Sequence, residues 1–192
     1  PCATDEIGVI TIQGDHISPG YLDPKHNDGV FDTGRLNSGD LGYKDAQGRI
    51  YIAGRSKDII IRSGHNIDPA MIENAMATHP AVALAAAVGM PDAYAGELPV
   101  CFVELLQGAD VSVEDLQQHA QNVNDERTAW PKLNQTIDTI PLTTVGKIFK
   151  PSLRCIVAKQ KVMELGQKEF GITNAEVEVV AGGSRGMRVN IT

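Results

Sequence analysis

The chain has 192 residues, 42% of them hydrophobic and 21% charged, the balance of a globular chain and enough for one domain or one domain plus part of another. Its 17 Lys and Arg stand against 24 Asp and Glu, a net charge of −7, so the basic footprint of a nucleic-acid binder is absent. The longest apolar stretch, Ala81 to Met90, falls far short of the roughly 20 residues a spanning helix needs. Cys2, Cys101 and Cys155 are widely spaced and odd in number, without CxxC or neighbouring His. That pattern points to a reducing compartment rather than a disulfide framework. The expectation is a cytoplasmic protein with no transmembrane segment and no nucleic-acid partner. It opens on Pro1 without a methionine, inside strand-rich sequence, and reads as a fragment of a longer protein.

Taken in order, Gly8 to Ile12 alternates like a strand, and His16 to Pro24 and Asp28-Gly29 are turn signals. Ser38-Gly39-Asp40-Leu41-Gly42 brings a carboxylate between glycines, with Asp40 closing this first segment. Asp45 to Gly48 reads as a hairpin turn and Arg49 to Gly54 as the returning strand. In Gly54 to Asn66 a charged cluster (Arg55, Lys57, Asp58) precedes the β-branched run Ile59 to Ile61, then a second turn at Ser63-Gly64.

Asp68-Pro69 starts a helix, Asp capping the free amides and Pro suiting the first turn. Thr78 to Pro80 ends it. Ala81 to Gly89 and Leu98 to Leu106 are continuous apolar runs that fit buried strands, joined by the loop Pro91 to Glu97. Ser112 or a neighbour caps a helix running to about Asn124, with Glu114 and Asp115 at the positive end of its dipole. Loop then strand follow from Trp130 to Ile140. Pro141 to Lys147 is a glycine-bordered loop, and a helix runs from about Pro151 to Gly166. The tail from Glu176 carries two alternating runs around Ala181 to Ser184, the pattern of a hairpin. The sum is an α+β fold: a small domain of mixed sheet packed with helices over 56–192, preceded by a β-rich stub over 1–55.

Several side chains have both a chemical and an ordinary reading. The Asp40 carboxylate can accept hydrogen bonds from two vicinal hydroxyls, as a ribose clamp would, or simply serve a glycine turn. Arg55 offers a fork of donors to a ribose or phosphate oxygen, or is a strand-end arginine. Lys57 is a long charged residue at a turn, either solvated or exchanging partners as torsions change. Gly64 serves a turn or a close approach of backbone to another molecule. Lys147 is a mobile surface lysine or one delivered to a ligand. Cys101, inside an apolar run, reads as a small core hydrophobe. His16, His26, His65, His79 and His119 show no metal-ligand spacing, and GxSxG is absent.

Three stretches in register, SGDLGY, then DAQGRIYIAGRSKDIIIRSGHNIDPAMIE, and IPLTTVGKIFKPSLR, resemble the adenylate-forming (AMP-binding) enzymes, in particular their acyl-CoA synthetase branch. The resemblance runs from about Asp5 to Arg154. It implies that 1–55 is the end of a large N-terminal adenylation domain and 56–192 the C-terminal small domain, with a C-terminal extension that many members lack. It implies Asp40 and Arg55 as nucleotide contacts, Lys57 as hinge, Gly64 at the tunnel for the pantetheine arm of coenzyme A, and Lys147 as the catalytic lysine.

By the same resemblance the substrates are ATP, a carboxylic acid and coenzyme A, with Mg2+ held by ligands outside this fragment and the missing N-terminal domain as partner. The phosphate-binding loop, the aromatic residue that stacks on adenine and the acyl pocket also belong to that large domain. Many relatives carry an aromatic residue where this chain has Ala95, with Tyr94 one position earlier; this bears on whether the adenine of coenzyme A is held. The alternatives are an adenylation domain that loads a carrier protein, and a non-catalytic binding module of the same fold.

Overall fold

The computed structural model describes residues 2–172, 175–182 and 186–192. Two compact units emerge, Pro1–Ile59 and Ile60–Thr192. The first is a four-stranded antiparallel sheet: β1 (Gly8–Gln13), β2 (Phe31–Asp32), β3 (Arg35–Lys44) and β4 (Ile50–Arg55). The strand β3 is the hub, pairing with the other three. Asp45 makes the turn between β3 and β4, its carboxylate accepting from the amides of Gln47 and Arg49. Gly42 is a close-approach glycine, since a Cβ there would lie 2.5 Å from the Tyr51 carbonyl oxygen. No large hydrophobic side chain of this unit is buried among the described residues; Ile7, Val9, Ile50 and Ile52 lie exposed.

The second unit holds β5 (Ile60–Arg62), β6 (His65–Ile67), α1 (Pro69–Ala77), β7 (Val82–Asp92), β8 (Gly96–Leu105), α2 (Val113–Val123), β9 (Leu133–Thr136), α3 (Lys150–Phe170), β10 (Val177–Ala181) and β11 (Met187–Ile191). A five-stranded sheet is built on β8. Its long antiparallel partner β7 takes one edge, and β5 and the parallel strand β9 take the other. The apolar runs are strands covered on both faces, which is why they do not alternate with polar residues. Ala85, Ala87, Cys101 and Val103 face one core with Ile72 and Met76 of α1 and Leu116 of α2. Ala86, Val88, Val100 and Phe102 face the other with Leu153 and Val157 of α3.

The helix starts follow their expected signals. Asp68 accepts from the Ala70 amide and Ser112 from the Asp115 amide. The end of α3 differs: it runs past Gly166 to Phe170 and stops at Gly171, with φ +66°. The Ile172 amide returns to the Gly166 carbonyl and the Gly171 amide to the Gln167 carbonyl, the latter being the bond of an αL cap, which satisfies carbonyls of the last turn. Gly166 retains helical torsions, so the stop falls at the glycine that adopts the left-handed conformation. The tail is an antiparallel pair, β10 with β11, and β10 packs against α3. Gly183 and Ser184 of the expected turn lie outside the described residues.

A Cβ at Gly166 would meet nothing within 4 Å. Gly166→Ala therefore raises stability by about 0.5–1 kcal/mol through helix propensity, while Gly171→Ala, forced into a left-handed conformation, lowers it by about 1–2 kcal/mol. Denaturant midpoints of the two variants moving in the same direction would contradict this assignment of the stop.

Candidate functional site

In the first unit, Asp40 and Arg55 stand directly opposite each other across the β3–β4 pair, Arg55 Nε 3.2 Å from Asp40 Oδ1. Asp40 does not close a segment in a glycine turn. It lies inside β3, because Ser38 and Gly39 continue the strand and Ser38 Oγ both donates to the Ile10 carbonyl and accepts the Asp40 amide. A register shift between Leu41 and Gly42 re-aims the strand next to the pair, a common use of such irregularities. The carboxylate is a third exposed and the guanidinium nearly two-thirds. As a surface ion pair it adds little stability, and both groups retain capacity for a polar ligand.

Beyond β4 the chain turns over Ser56 to Asp58, with the Asp58 and Ile59 amides both donating to the Arg55 carbonyl. Ser56 ties the start of this turn back to the Gly39 carbonyl through its amide and its hydroxyl. Lys57 is an exposed residue of this turn.

In the second unit, Arg62 pairs with His65 across a two-residue hairpin loop, Ser63-Gly64, with φ of +50° and +82°. Two successive positive φ values define a type I′ turn, the connection whose twist matches its flanking strands. The turn alone accounts for glycine at 64, and a Cβ there would point into open space. The Ser63 amide donates to the Ala95 carbonyl at 2.7 Å, tying this turn to the β7–β8 loop. In that loop Asp92 Oδ1 accepts from the Ala95 and Tyr94 amides, which hold its carboxyl below the usual range. Tyr94 is 96% exposed, so the loop does carry an accessible aromatic ring beside the Gly64 turn, one position before Ala95.

Lys147 sits in a closed turn rather than a flexible loop. Leu142 and Ile148 form an antiparallel bridge. The Thr143 amide donates to the Lys147 carbonyl at 2.7 Å, the Gly146 amide to the Thr143 carbonyl, and the Phe149 amide to the Pro141 carbonyl. Thr143 Oγ1 then accepts the Lys147 amide at 3.1 Å. One threonine thus uses its amide, carbonyl and hydroxyl to fold the chain back on itself. These bonds constrain the backbone of Lys147 before any ligand arrives. The sequence signal for this was Thr143 four residues ahead of the lysine, with Gly146 between them.

The remaining chemistry-bearing residues have structural roles. Cys101 is fully buried, and burial pushes its thiol pKa far up, the opposite of an activated nucleophile. His79 and His119 meet edge to face, and His119 Nε2 lies 2.8 Å from Thr78 Oγ1, so both belong to the α1–α2 contact. Among the described residues no group of three or more His, Cys, Asp or Glu is arranged to hold a metal, and no helix is long and apolar enough to cross a membrane. A cavity of about 570 Å³ lies between the C-terminal half of α3 and the tail, lined by Met163, Phe170, Ile172, Val177 and Ile191. It is apolar and is not lined by Gly64 or Lys147.

The mixed sheets and helices of the chain match the C-terminal region of adenylate-forming enzymes in fold. Residues 71–147 match the model of the AMP-binding enzyme C-terminal domain. The chain belongs to the adenylate-forming family and is similar to the C-terminal portion of acyl-CoA ligases. It is 42% identical over 191 residues to a marinolic acid–CoA ligase of Pseudoalteromonas sp., covering 99% of this chain and 29% of that protein. With a long-chain-fatty-acid–CoA ligase of Bacillus subtilis it shares 38% identity over 152 residues, 77% of this chain and 26% of the relative. Among solved structures, the o-succinylbenzoate CoA synthetase of Bacillus subtilis, in complex with its acyl-adenylate intermediate, superposes with a TM-score of 0.73 at 30% identity, over 80% of this chain and 31% of that one. The chain therefore spans less than a third of each of these three relatives.

The closed turn makes its own test. Thr143→Val keeps the side-chain shape but removes the acceptor of the Lys147 amide, so exchange of that amide with solvent should accelerate about 5-fold, the equivalent of one ordinary hydrogen bond of about 1 kcal/mol. Unchanged protection at Lys147 would show that Thr143 Oγ1 does not hold the turn.

Proposed function

We propose that the full-length protein is an ATP-dependent acyl-CoA synthetase, of which this chain supplies the C-terminal small domain (56–192) and the last strands of the large domain (1–55). The observation that carries this reading is Lys147 held on a hydrogen-bonded turn in a chain 42% identical, over 191 residues, to an acid–CoA ligase. In the first half-reaction a carboxylate oxygen attacks the α-phosphorus of ATP and pyrophosphate leaves. In the second the sulfur of coenzyme A attacks the acyl carbonyl and AMP leaves. The exposed apolar side chains of the first unit, Ile7, Val9, Ile50 and Ile52, fit a sheet that the rest of the large domain would cover. The three free cysteines suit a cytoplasmic setting.

Each residue then has a defined task. Asp40 accepts hydrogen bonds from the ribose hydroxyls while Arg55 holds its carboxylate and reaches a ribose or phosphate oxygen. Lys147 offers a compact cation where negative charge gathers at the α-phosphate. Rotation about Lys57 exchanges that arrangement for one in which the Gly64 turn lines the path of the pantetheine arm. A Cβ-free turn facing open space leaves room for such a chain. Mg2+ accompanies ATP in this chemistry, but the described residues do not form a site for it, and none of the tasks above uses it.

The two half-reactions separate by mutation of the full-length enzyme. Lys147→Ala cripples adenylate formation, by about 10²–10³ for one positioned electrostatic donor, and largely spares thioester synthesis from acyl-adenylate supplied ready-made. Gly64→Leu does the reverse. Gly64→Ala controls for it, carrying the same left-handed backbone strain without the bulk. Equal loss of both half-reactions in Lys147→Ala and Gly64→Leu would refute the alternation.

The 192-residue chain alone should show no acid-dependent ATP–pyrophosphate exchange; measurable exchange would place the acyl site within it. Pyrophosphate release by the full-length protein across a panel of short, fatty and aryl carboxylic acids then identifies the acid.

A further inference from the structure

The Lys147 turn is fastened at both ends by carboxylates from other elements. On the entering side, the buried residue Ile140 donates its amide to Glu104 Oε2 of β8 at 2.7 Å. On the leaving side, Lys150, first residue of α3 and three positions beyond Lys147, places Nζ 2.8 Å from Glu73 Oε1 of α1. That same oxygen accepts the Ala87 amide of β7 at 2.9 Å. Both side chains of the ion pair are more than four-fifths buried. The strand β7 pairs with β8 alone, so Glu73 takes up an amide on its unpaired edge. Moreover α1 and α3 pack into different cores, on opposite faces of the sheet. The Glu73–Lys150 pair therefore joins the two helical layers around the edge of β7, at the point where α3 begins and the lysine turn ends.

A shielded ion pair with a third hydrogen bond has directional value that an exposed one lacks, and leaving one partner unpaired is costly. The packing of Leu153 and Val157 holds the body of α3. Ile148, just ahead of the helix, packs on the same core, and at the first turn Lys150 adds a directional polar partner on another element, Glu73 of α1. We propose that Glu73 and Lys150 are a positioning pair for Lys147, fixing the start of α3 and thereby the direction in which the catalytic turn presents its ammonium group. This rests on the reading of Lys147 given above. Neither Glu73 nor Lys150 touches a reactant; they act through the turn.

The test uses the full-length enzyme, labelled pyrophosphate and ATP, with the acid from the panel that gives the fastest pyrophosphate release. Glu73→Gln preserves an acceptor for the Ala87 amide and removes only the charge that holds Lys150. It should lower adenylation turnover about 10- to 100-fold, the scale of a misplacement of about an ångström. Thioester formation from supplied acyl-adenylate should be spared. Lys150→Met should match it, and Lys150→Arg should restore most of the rate. The decisive measurement is Glu73→Gln in a Lys147→Ala background, where residual exchange should fall no further, because the group being positioned is gone.

A fall of the same factor in both backgrounds would overturn the proposal, as would equal loss of both half-reactions or an unchanged rate in Glu73→Gln while Lys147→Ala remains crippled. If Lys147→Ala itself leaves adenylation intact, the reading of Lys147 fails, and this proposal with it. That outcome differs from the case in which only the pair is idle.

Discussion

The second unit depends on one constraint, the full-length antiparallel pairing of β7 with β8 and its burial on both faces. With Val82 paired to Leu105 and Asp92 to Gly96, the period-two alternation of side chains divides eight central residues between two cores. A slip of one position would exchange the cores outright. Three consecutive alanines, Ala85 to Ala87, keep the strand thin, so helices on both sides can pack close to the backbone. Both turns proposed to act in the second unit hang from this plate: the Gly64 turn through the Arg62–Gly96 pairing and the Ser63–Ala95 hydrogen bond, and the Lys147 turn through Glu104 and α3.

Much of this plate is legible in the linear sequence because its cause is local or periodic. Uninterrupted apolar runs mark strands covered on both faces, and Asp68-Pro69 and Ser112 mark helix starts because a side-chain oxygen meets an amide only two or three residues away. The limits have physical reasons too. Gly166 and Gly171 look alike as letters, and only the return of the Ile172 amide to the Gly166 carbonyl decides which one stops the helix. Asp40 between glycines resembles a turn, yet it pairs with Arg55 of β4 inside β3, while the β1 pairing shifts register around it between Asn37 and Leu41. The Glu73–Lys150 pair joins residues far apart in the chain, and nothing in the periodicity of α1 singles out Glu73.

Lys147 illustrates how a mobile-looking stretch is made definite. Pro141 to Phe149 contains the residues of a loop, but three backbone and side-chain bonds close it upon Thr143 and a fourth joins Phe149 to Pro141. In the alternation proposed above, such a turn would leave the motion to the domain as a body and let the lysine keep its geometry.

The buried Cys101 has a practical consequence. Its sulfur lies between sheet and helices with no exposed surface, whereas Cys2 is exposed and Cys155 half-buried. A thiol-specific reagent applied to the native protein therefore meets two accessible cysteines at once and the third only when β7 and β8 part from their covering layer. The slow phase of labelling becomes a clock for the opening of the core, written into the chain without any engineered probe.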